Sequence, residues 1–204
     1  MALYSRAMRT ALLALSILPL ACGGDDTSSA ADAAIDASNE LPTSCTGDCA
    51  VFALSATFGG TTEEFDRAFF GLTSPGKSDS GDWELHIESY GGGDDACPTE
   101  SSPAPDRTVV LARVPIPAGP GMTGEGQTSL LDFTGSLIPG VPPTSTATSH
   151  TIVWTAADPC IPCAEGTEAD RQDRFVAFDL SATFAEGTAL GHLYATHCDS
   201  LDDL

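Results

Sequence analysis

The chain has 204 residues, with 29 Asp and Glu against 8 Lys and Arg and a formal net charge of −21 at neutral pH. Such a surface repels phosphate backbones and anionic lipid heads, which excludes nucleic-acid binding and favours a cationic or neutral ligand over an anionic one. The same charge also serves solubility, so by itself it marks no site.

In chain order, the first element is an export signal. Arg6 and Arg9 precede the apolar run Ala11–Leu20, with no acidic residue before it. That run is shorter than the ~20 apolar residues a membrane-spanning helix needs. A basic lead, a short apolar stretch and a small residue are the parts of a cleavable signal. The residues that follow are Ala21-Cys22-Gly23-Gly24-Asp25-Asp26. They resemble the lipobox of bacterial lipoproteins, in which a small residue precedes a cysteine that is lipidated and becomes the new N-terminus. The resemblance implies a signal peptide over 1–21, acyl groups such as palmitate on Cys22, and a protein held to a membrane of the cell envelope. It implies a position outside the cytoplasm, at the outer membrane or cell surface rather than the inner membrane. Several acyl chains on one cysteine anchor stably where a single chain does not. Conventional secretory cleavage near Ala21 is the alternative. Cleavage before Cys22 removes Arg6 and Arg9 and no acid, taking the net charge from −21 to −23.

With Cys22 lipidated, six cysteines remain: Cys45, Cys49, Cys97, Cys160, Cys163 and Cys198. An even number in an exported chain reads as three disulfides. The segment from Cys22 to Ser44 is rich in Ala, Ser, Thr, Gly and Asp, too poor in apolar bulk to fold. As a flexible coil it spans roughly 25 Å, a tether between lipid and domain.

Residues 45–204 are expected to form one domain. Their periodicity is that of strands. In 82–90, Trp83, Leu85 and Ile87 alternate with Asp82, Glu84, His86 and Glu88, the pattern of a half-buried strand. Further strands are expected at 49–58, 67–72, 107–114, 129–137, 150–156, 174–184 and 189–198. About eight strands with Gly-, Pro- and Ser-rich connections predict an all-β, antiparallel β-sandwich stapled by disulfides, with a jelly roll or barrel as alternatives. The segments VFALSATF (51–58) and AFDLSATF (177–184) match at six of eight positions, from duplication or from shared strand chemistry. Antiparallel pairing of the first and last strands would bring Cys45 or Cys49 to Cys198.

The chemical motifs are mostly eliminated. Gly71-Leu72-Thr73-Ser74-Pro75-Gly76-Lys77-Ser78 fits the phosphate-cradling pattern letter for letter, but an alternating strand follows where the helix should be, so a turn is expected. Ser74 and Lys77 have the spacing of penicillin-interacting enzymes, which Pro75, Gly76 and the absence of any second lysine oppose. Cys160-Ile161-Pro162-Cys163, alone or with Cys45 and Cys49, has redox or zinc spacing, and disulfides are the expectation. Glu84, His86 and Glu88 share a strand face and, with His192 alongside, would make a site for a divalent cation. A solvated face is the plainer outcome. Asp94, Asp95, Asp199, Asp202 and Asp203 suggest calcium without the ordered spacing of a known loop. Trp83, Trp154 and Tyr90 are candidates for sugar stacking, core packing being the alternative.

The sequence therefore implies a membrane-anchored lipoprotein whose β-domain binds or displays an extracytoplasmic ligand without catalysis. A carbohydrate-binding module and a cation-dependent hydrolase are the alternatives, and no catalytic residue is assigned.

Overall fold

The structure, a computed structural model, describes residues 40–139, 143–163 and 173–204. The expected signal peptide over 1–21 and the expected lipidation site Cys22 lie outside the described residues. The described residues belong to one compact unit. Its ordered contacts begin ahead of Cys45: Leu41 packs against the core, and the Pro42 carbonyl accepts the Ala157 N–H at 3.0 Å. Among the described residues no helix is long and apolar enough to cross a membrane.

Among the described residues, eleven strands form one mixed sheet: β1 (Ala53–Phe58), β2 (Thr61–Glu64), β3 (Arg67–Thr73), β4 (Glu84–Gly91), β5 (Arg107–Pro115), β6 (Met122–Thr123), β7 (Gln127–Asp132), β8 (Thr144–Thr146), β9 (Ser149–Asp158), β10 (Phe175–Thr183) and β11 (Gly187–His197). Their order is β6-β9-β10-β11-β3-β4-β5-β7-β8, with β1 and then β2 branching from β11. The all-β expectation holds, and each of the eight expected segments contains a strand. The additional three, β2, β6 and β8, are short edge or branch strands with the sequences TTEE, MT and TST, too brief or too polar to show a buried face.

Inward residues of every long strand, among them Leu54, Phe70, Ile87, Leu111, Leu130, Ile152, Phe178 and Leu193, gather into one buried apolar cluster. The helical elements described are 3-10 turns of three or four residues, so the cluster is built from strand and loop residues.

β11 organises the molecule. One edge pairs along its length with β10. The other edge is divided: β1 runs antiparallel against Gly187–His192, and β3 runs parallel against Ala195–His197. That parallel join corrects the expectation of a purely antiparallel sheet. β2 returns from β1 in the direction of β11, and the chain passes through Phe65 and Asp66 into β3 without reversing. β3 therefore meets β11 in the same sense.

The two matching octapeptides lie on either side of β11 in the same register. Leu54 and Leu180 oppose Gly191, Ala56 and Ala182 oppose Ala189, and Thr57 and Thr183 oppose Thr188. The Phe58 and Phe184 rings meet at 5.2 Å.

The three disulfides are Cys45–Cys49, Cys97–Cys198 and Cys160–Cys163. Cys45 and Cys49 therefore do not reach Cys198, which corrects that expectation. The first and last strands do pair antiparallel, but β1 begins only at Ala53, and β3 occupies the β11 edge beside Cys198. The redox or zinc pairs are local disulfides, as expected.

Candidate binding groove

The chemistry of the molecule concentrates on the outer face of β4. Alternation along the strand points Leu85 and Ile87 inward and His86, Glu88 and Tyr90 outward. His86 Nε2 lies 2.7 Å from Glu88 Oε1, and the Tyr90 hydroxyl donates to Glu88 Oε2. A carboxylate only accepts, so Nε2 of His86 carries the proton of the first bond. Burial alone would raise the Glu88 pKa, but the hydrogen bonds from His86 and Tyr90 outweigh it and hold the carboxyl below its usual value. Burial, and donation to Glu88, push the Tyr90 hydroxyl well above the ordinary phenol range. Across the pair of strands, Arg67 of β3 sits opposite Tyr90, its guanidinium 5.3 Å from the ring centroid.

This outer face is not open to solvent, because two chain segments lie over it. Loop 92–106 covers Arg67, Tyr90 and Thr108, leaving Tyr90 only 5% exposed. The 3-10 turn Asp199–Leu201 sits over β3, where Gly71 admits it: a Cβ there would collide with the Leu201 backbone. The two covers are tied together by Cys97–Cys198 and by the Ser200 hydroxyl donating to the Pro98 carbonyl. Between them and the sheet lie two adjoining hollows of about 290 and 250 Å³, which share Glu88, Tyr90, Pro98 and Thr99. The first continues over Val110 and Leu131 to Phe133, and the second reaches Glu100. A third space, about 20 Å³ between Arg67, Tyr90 and the loop, has room for a water and little else. A larger hollow of about 390 Å³ elsewhere is walled by residues Pro115–Thr123 and Trp154, with no charged group.

Glu84, His86, Glu88 and His192 do not converge. Among the described residues, no three of them bring ligand atoms together. Glu84 is 6% exposed, which also departs from a solvated face, and it accepts a 2.6 Å bond from the Ser80 hydroxyl. His192 lies on β11 opposite Ala53 and Asp179, with Nδ1 2.7 Å from the Asp179 carboxylate and Nε2 2.9 Å from the Cys49 carbonyl. Both of its ring nitrogens thus face acceptors, and neither points to an open ligand position.

The group that does come together is His197, Asp199 and Asp202. Asp202 Oδ1 accepts from the Leu72 N–H at 2.8 Å and faces His197 Nε2 at 3.0 Å. With Asp203 bonded to Leu72 and Ser74, these contacts fasten the C-terminal residues to β3.

The remaining motifs fold as structure. Ser74–Lys77 is a turn closed by bonds from the Lys77 and Ser78 N–H groups to the Ser74 carbonyl. Trp154 is 6% exposed and meets Phe178 edge-on at 5.0 Å, and Trp83 packs against the core. With Tyr90 also covered, the three aromatic residues offer no stacking platform. Phe133 closes the apolar pattern of the strand expected at 129–137, whereas Glu100 and loop 92–106 carried no periodic signal, and their convergence on Glu88 comes from the pairing of β4, β5 and β7 and from the Cys97–Cys198 bond. No protein-family model matches the chain, and no curated protein or solved structure is significantly similar to it.

Proposed function

We propose that this chain is an exported lipoprotein, anchored to a membrane of the cell envelope through acyl groups on Cys22, whose β-domain binds a ligand rather than transforming one. The observation that carries the proposal is the cysteine arrangement. All six cysteines downstream of Cys22 pair into three disulfides, which suits an oxidising compartment and leaves Cys22 for the lipid.

The test is the intact mass of the exported protein, alkylated before any reduction. The expected species is cleaved before Cys22, carries acyl groups and takes up no alkylating agent. An unlipidated species, or one with two or more free thiols, would overturn the proposal.

A further inference from the structure

We propose that the groove beneath loop 92–106 receives a basic side chain, Lys or Arg, carried on an otherwise apolar segment of a partner polypeptide. This proposal presupposes the binding-module reading above but not the lipid anchor.

The walls of the groove state the chemistry of its occupant. Its floor joins the Glu88 carboxylate to the apolar surface of Val110 and Leu131, and its open end is Phe133. Phe133 is 52% exposed, one of the few large apolar side chains left in water. Exposed aromatic surface at the mouth of a hollow is the form a hot-spot contact takes.

Charge then selects the occupant. Glu88 and Glu100 line the two hollows, and Asp94 stands beside them. The neighbouring cations are engaged: Arg67 lies 2.5 Å from Asp66 and 4.0 Å from Asp95, and Arg107 lies 2.8 Å from Glu63. His86 faces Glu88 itself. The local field is negative, within a chain of net charge −21. A lysine or arginine matches both features, because its stem lies along apolar surface while its head meets a carboxylate. An arginine head would also stack on the Phe133 ring. The whole-molecule charge would speed the encounter with a basic partner. A flanking apolar residue is needed to cover Phe133, which distinguishes a polypeptide segment from a bare polyamine. A neutral sugar would want exposed ring faces, and of the groove's two rings only Phe133 is exposed.

The experiment uses the full chain purified in detergent and a fluorescein-labelled nonapeptide of alternating Lys and Leu, read by fluorescence anisotropy. Saturable binding is expected, absent for the matching Glu and Leu peptide. Phe133→Ala should weaken it about tenfold and Glu100→Gln about fivefold, in the range of a hot-spot truncation and of a rim charge. Both residues are exposed, and unchanged melting temperatures would show the fold intact. Glu125→Gln, an exposed acid remote in sequence and outside the groove, should leave affinity unchanged. The proposal falls if no saturable binding occurs, or if Glu125→Gln weakens binding as much as Glu100→Gln, which would mean diffuse attraction. It also falls if cellohexaose displaces the peptide or spermine binds as tightly. Binding is read whether or not the protein is acylated, so failure here leaves the mass result at Cys22 standing, and the converse holds.

Discussion

Asp132 shows how a single buried carboxylate can shape a loop. It ends β7 with no exposed surface. Its Oδ1 accepts from the Thr134 and Gly135 N–H groups and the Thr134 hydroxyl, and its Oδ2 accepts from the Leu137 and Ile138 N–H groups. Burial would raise its pKa, but the N–H groups of Ile138 and Leu137, then the Thr134 hydroxyl and the Gly135 N–H, lower it below the usual carboxylate value. A carboxyl whose folded pKa is depressed contributes stability that is complete above its unfolded pKa, about 3.9. That stability is lost as the pH falls through the lower folded value. Asp132→Asn keeps the shape but turns an amide NH2 toward donors, and should cost about 2–3 kcal/mol at neutral pH. Chemical denaturation followed across pH should show the wild-type advantage shrinking below about pH 4. An advantage that persists at lower pH would refute this account of the loop. Phe133 follows Asp132 directly, so the network that satisfies the carboxylate also starts the loop at the mouth of the groove.

At the scale of elements, β11 accepts nearly the same sequence on both edges. Gly191 makes this possible at its midpoint, with φ at +149° between Leu54 and Leu180. A Cβ at Gly191 would strike the Ala53 carbonyl and the Leu54 backbone. Gly191→Ala should therefore cost on the order of 3 kcal/mol, from backbone strain and from displacement of β1. Hydrogen exchange should show the β1 amides losing more protection than those of β4 and β5, and equal loss everywhere would sink the account. The eight strands with alternating apolar residues were legible in the sequence because each carries its own buried stripe. The branch at β11 was not. It depends on how far β1 extends before β3 takes over the edge, and no local pattern encodes that. The groove divides in the same way. His86, Glu88 and Tyr90 sit two residues apart on one strand, so their shared face could be read directly. Phe133, Glu100 and the turn at Asp199–Leu201 come from distant segments, and their meeting depends on one of the 15 pairings that six cysteines allow. The His86–His192 association failed for a related reason: the end of β11 beside β3 is residues 195–197, leaving His192 against β1.

Over the whole molecule, the disulfides do unequal work. Cys45–Cys49 and Cys160–Cys163 close loops with sequence separations of 4 and 3, whereas Cys97–Cys198 spans 101. In the chain-entropy description, the long bridge restricts the unfolded chain by about 4.7 kcal/mol and each short one by about 2 kcal/mol. The paired change Cys97→Ser with Cys198→Ser should therefore lower the melting temperature more than Cys45→Ser with Cys49→Ser. The reverse order would show that native-state contacts, not loop closure, set the ranking. The charge is also a property of the whole: with Lys77 the only lysine, the surface offers few cations for self-association.

The Cys97–Cys198 bond also makes the chain a ring. Every strand from β5 to β11 lies within the covalent circle between these two residues. A protease that cuts once within the circle opens it without releasing a fragment, because both new ends remain joined through sulfur. The groove walls would thus stay attached after a first cut there, and only a second cut or a reductant would free a piece.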